Sequence, residues 1–246
     1  MRLALLADLH ANRRALEACL DHARGLGADR FVFLGDYVGY GPEPQEVVEC
    51  VMAAVDRGAV AVAGNHDCAV ADTRESMHSD AETAMAWTRG QLDARARDFL
   101  ATLPMRFEDG TRLYVHASPQ TYPEWIYVSD PPAARRALEA SRAQTVFCGH
   151  THLAALHGIT ATGQLVSFQP VPGAPIPLPR HRRWLTVVGS AGQPRDGDPK
   201  AAYALLDTDR CEITHHRVPY DVEAAALALL RAGLPPSLAA RLQKGR

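Results

Sequence analysis

Five short apolar segments in the first 152 residues each run directly into side chains that can bind metals or move protons. Residues 2–7 lead to Asp8-Leu9-His10, 31–34 to Gly35-Asp36, and 59–63 to Gly64-Asn65-His66-Asp67. Residues 112–115 then lead to His116, and 145–148 to Gly149-His150-Thr151-His152. Apolar runs of four to six residues suit buried strands better than helices. Between them, Ala15, Leu16, Cys19 and Leu20 follow Asn12 at helical spacing, and Val47, Val48, Val51, Met52 and Val55 follow Pro44 up to Gly58. Pro near a helix start and Gly past its end mark the second of these. Strands alternating with helices predict an α/β protein, in which ligands bind beyond the carboxyl ends of the strands. Such a fold can deliver all five polar clusters to one rim.

The remaining pattern fits the same class. Residues 80–103 read as helical with a break near Gly90 and a stop at Pro104, and 131–143 as a helix opened by proline. After His152, residues 153–169 read as a hairpin turning at Ala161-Thr162-Gly163. Pro170, Pro172, Pro175, Pro177 and Pro179 predict an irregular or polyproline connector. Strands are expected at 184–188, 201–206 and 211–217, then a helical tail over 222–242. With no Ser/Gly-rich linker and no repeat, one domain is expected over residues 1–246. Residues 1–152 would carry the clusters, 153–220 further strands and the proline-rich loop, and 221–246 the tail.

Composition removes several classes of function. A chain of 246 residues that is 47% hydrophobic can bury a core and is not disordered. Its 26 basic and 28 acidic side chains, net −2, provide no dedicated nucleic-acid surface. No apolar stretch approaches bilayer length, and the first apolar run is too short for a signal peptide. The five cysteines form no Cys-x-x-Cys pair, so reduced thiols and a cytoplasmic location are expected. Eleven histidines are the unusual count, and five of them sit in the clusters.

Asp8, His10, Asp36, Asn65, His116, His150 and His152 offer imidazole nitrogen, carboxylate and amide oxygen, without thiolate. A mixed N/O set suits Mn, Fe, Zn, Co or Ni better than Mg or Ca. Seven donors exceed the four of a single structural zinc and fit two ions about 3.5–4 Å apart. His66 is left beside the metals as a candidate general acid.

The ordered blocks Asp-x-His, Gly-Asp, Gly-Asn-His-Asp, a lone His and Gly-His-x-His resemble the calcineurin-like metallophosphoesterases. The resemblance implies a four-layer α-β-β-α sandwich of two mixed sheets flanked by helices. It also implies one metal held by Asp8, His10, Asp36 and His152, and a second held by Asp36, Asn65, His116 and His150, with manganese first among the metals. His66 would act on the leaving group or the transition-state oxygen, and Asp67 is a candidate to orient it. The implied reaction is hydrolysis of a phosphodiester or phosphomonoester by in-line attack of a metal-bridging hydroxide.

Departures narrow the branch. Where protein phosphatases of this family have a second Asp and an Arg after Gly-Asp, this chain has Gly39 and Tyr40. Gly39-Tyr40-Gly41-Pro42, His116-Ala117-Ser118-Pro119 and the stretch around Gly192-Gln193-Pro194-Arg195 resemble a prokaryotic branch acting on small molecules. Arg195 and Tyr40 are the candidate substrate contacts, and Tyr37 a possible stacking surface. Arg180-His181-Arg182-Arg183 reads as a solvated loop with a lesser claim on substrate. The expected partner is a small phosphoester, nucleotides included, with no membrane; an oligomer is compatible.

Two other readings compete: a dinucleoside polyphosphate hydrolase using the late arginines, and a non-catalytic metal-binding scaffold, against which His66 argues. Asn12 is expected to cap the first helix, Cys68 and Cys148 to be small buried apolar groups. His22, His78, His157, His181, His215 and His216 are expected on the surface or in the tail.

Overall fold

The computed structural model describes residues 1–72, 79–120 and 124–246; His78 lies outside them. The chain opens with β1 (Arg2–Leu6), α1 (Arg13–Gly25), β2 (Arg30–Phe33), α2 (Pro44–Asp56) and β3 (Val60–Ala61). It continues through α3 (Asn65–Ala71), α4 (Ser79–Gln91), α5 (Ala94–Thr102), β4 (Arg106–Asp109), β5 (Arg112–Val115), α6 (Pro131–Glu139) and β6 (Thr145–Cys148). Then come β7 (Ala155–Thr160), β8 (Leu165–Phe168), β9 (Pro175–Pro177), β10 (Arg182–Val187), β11 (Ala201–Asp207) and β12 (Glu212–Val218), with α7 (Val222–Arg231) and α8 (Pro236–Lys244) at the end.

Two six-stranded sheets form, in the orders β3-β2-β1-β11-β12-β9 and β4-β5-β6-β10-β7-β8. In the first, β1, β2 and β3 are parallel; in the second, β5, β6 and β10 are parallel. Both sheets are mixed, because β11 and β7 join them antiparallel. The period of two along β1 divides its side chains between layers. Leu3 and Leu5 join Tyr114, Phe147 and Trp184 between the sheets, whereas Ala4 and Leu6 face Leu16 and Val51 of the helical layer. On β6, Phe147 points between the sheets and Val146 and Cys148 pack on Ala134 and Leu138 of α6. Burial on both faces explains why these strands read as unbroken apolar runs. The result is the expected four-layer sandwich, with α7 and α8 packed on α4 through Ala84, Leu229 and Leu238.

Local chemistry sets the ends of the helices. Asn12 caps α1 by accepting the Ala15 N–H at 3.1 Å, as its position predicts. The helical segment after residue 79 breaks near Gly90 as expected: α4 ends at Gln91, and Asp93, whose side chain accepts the Ala96 N–H at 2.7 Å, starts α5. The tail divides into two helices because Pro235 and Pro236 cannot continue α7. Part of the proline-rich connector forms β9, an edge strand on β12; an edge position tolerates prolines, since one side needs no donors. β4, a strand not anticipated, pairs with β5 as a hairpin about Gly110. His157 and His215 are buried rather than on the surface, because β7 turns His157 toward Ser167 of β8 and β12 turns His215 toward Val187 of β10 in the other sheet. No helix among the described residues is long and apolar enough to cross a membrane.

Candidate metal centre

The parallel strands β1, β2, β3, β5 and β6 all end at one edge of the sandwich, and the five polar clusters follow them. Backbone hydrogen bonds tie the loops together: Asp8 N–H to Gly35 O at 3.0 Å, His10 N–H to Asp36 O at 2.9 Å and Gly149 N–H to His116 O at 2.9 Å. Across the two sheets, the His150 N–H donates to the Asp8 carboxylate at 3.0 Å. Gly149 permits this approach, since a Cβ there would lie 2.7 Å from Asp8 Oδ2. Asp8, His10, Asp36, His150 and His152 all have positive φ, between 44° and 68°. Left-handed backbone at residues other than glycine is rare and costs of order 1–3 kcal/mol each, and it concentrates where function demands a fixed geometry. Here it marks five of the seven donors.

The donor atoms fall into two adjacent groups. Asp8, His10 and His152 form one; Asp36, His116 and His150 form another. His152 Nε2 lies 3.4 Å from Asp8 Oδ1 and 3.1 Å from His10 Nε2. His116 Nε2 lies 3.2 Å from Asp36 Oδ2, 3.2 Å from Asn65 Oδ1 and 3.1 Å from His150 Nδ1. Asp36 Oδ2 also stands 3.8 Å from His10 Nε2, so it faces both groups. Atoms about 2.0–2.2 Å from one ion lie about 3–3.6 Å from one another, which is the spacing within each group.

The tautomers strengthen this fit. His10 Nδ1 faces Val38 O at 3.1 Å, His116 Nδ1 faces Leu34 O at 2.7 Å, and His152 Nδ1 faces Gln193 O at 2.6 Å. A carbonyl only accepts, so each Nδ1 carries a proton and each Nε2 turns inward. In their neutral forms His10 and His152 therefore oppose two lone pairs at 3.1 Å, an arrangement that repels unless a cation lies against both. The residues fit a metal ion.

Charge in the site points the same way. Burial holds His10 and His152 well below the ordinary histidine range, and burial with the nearby His116 pulls His150 down to about 3. Burial also pushes Asp8 up to about 7. Desolvation would raise Asp36 as well, but His116, His66 and His10 outweigh it and hold the carboxyl well below its usual range. The partner effect appears at His116, where burial is overcome by Asp36 and the imidazole rises to about 9.

His66 sits on this floor without joining a hydrogen bond through Nδ1, which is buried and unpartnered. Its ring meets His10 edge-on at 4.9 Å and Tyr40 at 4.7 Å, and burial lowers its pKa. His10, Asp36 and His66 also form a third group of potential ligands. The ring rests against Gly39, where any Cβ would collide with Nδ1 and where φ is +82°. Gly39 thus makes room for the histidine rather than orienting it.

Asp67 does not orient His66 either, contrary to its assignment from sequence. Its oxygens accept the N–H groups of Asp36 at 2.8 Å, Tyr37 at 2.9 Å and Gly64 at 2.8 Å. As the third residue of α3 it folds back on the helix start, and its acceptors are used by backbone.

Tyr40 lines the rim beside His10, and Arg195 holds its guanidinium 5.9 Å above the Tyr40 ring. Tyr37 is instead a core residue, its hydroxyl donating to Val62 O. The basic run lies at the opposite end of the sheets: Arg183 donates to Ala143 O at 3.0 Å and Leu138 O at 2.7 Å, closing the end of α6, and Arg180 lies beside Thr111 and Arg112. Sequence reasoning missed Trp125 and Tyr127. Trp125 packs edge-on against His116 at 5.7 Å and Tyr127 stacks on His150 at 4.0 Å, contacts that no local spacing announces.

A two-sheet sandwich with clustered histidines and carboxylates at the carboxyl ends of its strands defines a metallophosphoesterase-type protein. The chain belongs to the calcineurin-like phosphoesterase superfamily, whose domain it matches over residues 1–211. It is 36% identical to a metallophosphoesterase of known structure from Sphaerobacter thermophilus, with both chains fully covered and a TM-score of 0.88. It is 30% identical over 250 residues to an uncharacterized protein of Methanocaldococcus jannaschii, covering 99% of this chain and 98% of that one. A hypothetical protein of Pyrococcus horikoshii shares the fold at 19% identity and a TM-score of 0.78, over 100% of this chain and 98% of that one.

Proposed function

We propose that this protein is a two-metal hydrolase of small phosphodiesters or phosphomonoesters. The observation that carries the reading is the pair of donor groups meeting at Asp36 Oδ2, each with atoms at coordination spacing. One ion would be held by Asp8, His10, Asp36 and His152, the other by Asp36, Asn65, His116 and His150. Two such ions supply Lewis acidity at the phosphoryl oxygens and an acidified water for in-line attack.

The chain's own residues do the rest. Asp36 Oδ1 is taken by the His66 N–H at 2.9 Å, which turns Oδ2 toward both donor groups. The backbone carbonyls of Val38, Leu34 and Gln193 keep three imidazoles in the tautomer that binds metal. His66, next to both Tyr40 and His10, would protonate or stabilise the leaving oxygen. Among the described residues, Arg195 has a buried Nε without a partner and one donation, to Gln193 Oε1 at 3.2 Å, which leaves it able to hold a substrate phosphate. That arginine also favours a second reading, hydrolysis of dinucleoside polyphosphates, whose extra phosphates need a cation beyond the metals.

The test begins with chelator-stripped protein reloaded with Mn²⁺, the metal expected to serve best, and with Zn, Fe, Co and Ni in parallel. The expected result is two ions per chain and hydrolysis of bis(p-nitrophenyl) phosphate or p-nitrophenyl phosphate that disappears on chelation. A strong preference for diadenosine tetraphosphate that Arg195→Ala removes would select the polyphosphate reading. Metal uptake without turnover of any phosphoester would instead make this a non-catalytic scaffold.

A further inference from the structure

The wall of the site on the His150 side is built from residues that the ligand and proton-transfer roles leave unused. The Tyr127 ring lies parallel to the His150 imidazole, with centroids 4.0 Å apart and planes at 20°. Yet Tyr127 is 51% exposed, so a ring packed on a donor residue still presents much of its surface to solvent. The segment that carries it is anchored: the Ser118 N–H donates to Ile126 O at 3.0 Å, just beyond the His116 cluster. Beside Tyr40, whose ring touches His10 and His66, stands Arg195, for which no ion pair occurs among the described residues.

A rigid aromatic face beside a phosphate-binding centre is a stacking platform. Every planar ring has a face to offer it, whereas an alkyl chain does not. A cation beside the same centre pairs with phosphoryl oxygens and holds the ester while its substituent reaches the platform.

We propose that Tyr127 determines specificity by stacking a planar aromatic substituent of the substrate, an aryl group or a nucleobase, on its exposed ring surface. Arg195 holds the phosphoryl group. The inference deepens the phosphoesterase reading and rests on it. Tyr127 positions substrate and takes no part in bond making.

Phenylphosphonate and methylphosphonate, which are not hydrolysed, separate the ring from the phosphate. Their dissociation constants for the metal-reconstituted protein are measured by titration calorimetry, alongside metal content and turnover of bis(p-nitrophenyl) phosphate. Phenylphosphonate is expected to bind about tenfold more tightly than methylphosphonate, the size of one ring–ring stack. Tyr127→Ala should abolish that difference with methylphosphonate affinity and metal content unchanged, and Tyr127→Phe should keep it. Equal affinity for the two phosphonates in an active wild-type enzyme overturns the platform alone. Loss of metal, or equal weakening of both phosphonates in Tyr127→Ala, also overturns it, because the ring then only supports His150. A protein that takes up no metal and turns over no phosphoester removes the phosphoesterase reading and the platform with it.

Discussion

The Asp67 carboxylate accepts the backbone N–H of Asp36 at 2.8 Å, joining two buried acids through a peptide group rather than a proton. The same carboxylate accepts from Tyr37 and Gly64, so it clamps the loop after β2 to the start of α3. Burial and the neighbouring Asp36 charge push Asp67 up to about 7, while the N–H donors pull it back. The side chain next to His66 in sequence therefore acts on the shape of the Asp36 loop.

Removing this clamp should cost stability and metal together. Asp67→Ala leaves three buried N–H groups without their acceptor. Each such group costs about 1–3 kcal/mol, and partial rehydration lowers the sum, so a loss of about 3 kcal/mol is expected. Denaturant unfolding and elemental analysis measure the two effects. Unaltered stability with a displaced pH profile of kcat/KM would return Asp67 to the role of His66 partner.

The His66 substitution should separate chemistry from metal binding. His66→Ala is expected to keep two ions per chain and to lower kcat by about 10²–10⁴ on an alkyl ester. The loss should be smaller with a p-nitrophenolate leaving group, which needs less protonation. His66 also falls in a third potential ligand group with His10 and Asp36. Loss of one ion with equal kcat losses on both substrates would make it a ligand instead.

A histidine outside the donor groups should govern acid stability. His215 is buried at 4% exposure, its Nε2 faces Val187 O at 3.3 Å, and burial lowers its pKa to about 4. The unfolded chain takes up its proton near pH 6.5 and the folded chain only near pH 4. The native state thus has this stability in full above pH 6.5 and loses it as pH falls from 6.5 toward 4. By pH 5.5 the loss is about 1 kcal/mol. In His215→Asn, with metals chelated in both proteins, the drop in unfolding free energy between pH 7.5 and 5.5 should shrink by that amount. An unchanged drop would show that other histidines carry it.

How far the sequence reached depended on the range of the interactions involved. Strand and helix signals are local: β5 and β6 lie where the apolar runs at 112–115 and 145–148 predict them, and Asn12 caps α1 from its own position. The break expected near Gly90 falls between Gln91 and Ala94, where the Asp93 side chain caps the next helix from its own position. β9 formed where prolines argued against it, because an edge of β12 was available to pair with.

The candidate site divides in the same way. The order and residue types of the five clusters come from sequence alone, because each side chain directly follows the strand that carries it. Their common address required that β1 and β6, from different sheets, end at one edge, where the His150 N–H reaches Asp8 across 142 residues. The tautomers depend on carbonyls of Val38, Leu34 and Gln193, which no spacing rule pairs with His10, His116 and His152. The same holds for the stack of Tyr127 on His150 and for the work of Asp67 on the Asp36 loop. Sequence determined which groups could do chemistry; tertiary structure decided which of them meet and in which protonation state. The reason is that hydrogen-bond partners and desolvation arise only when packing brings distant segments together.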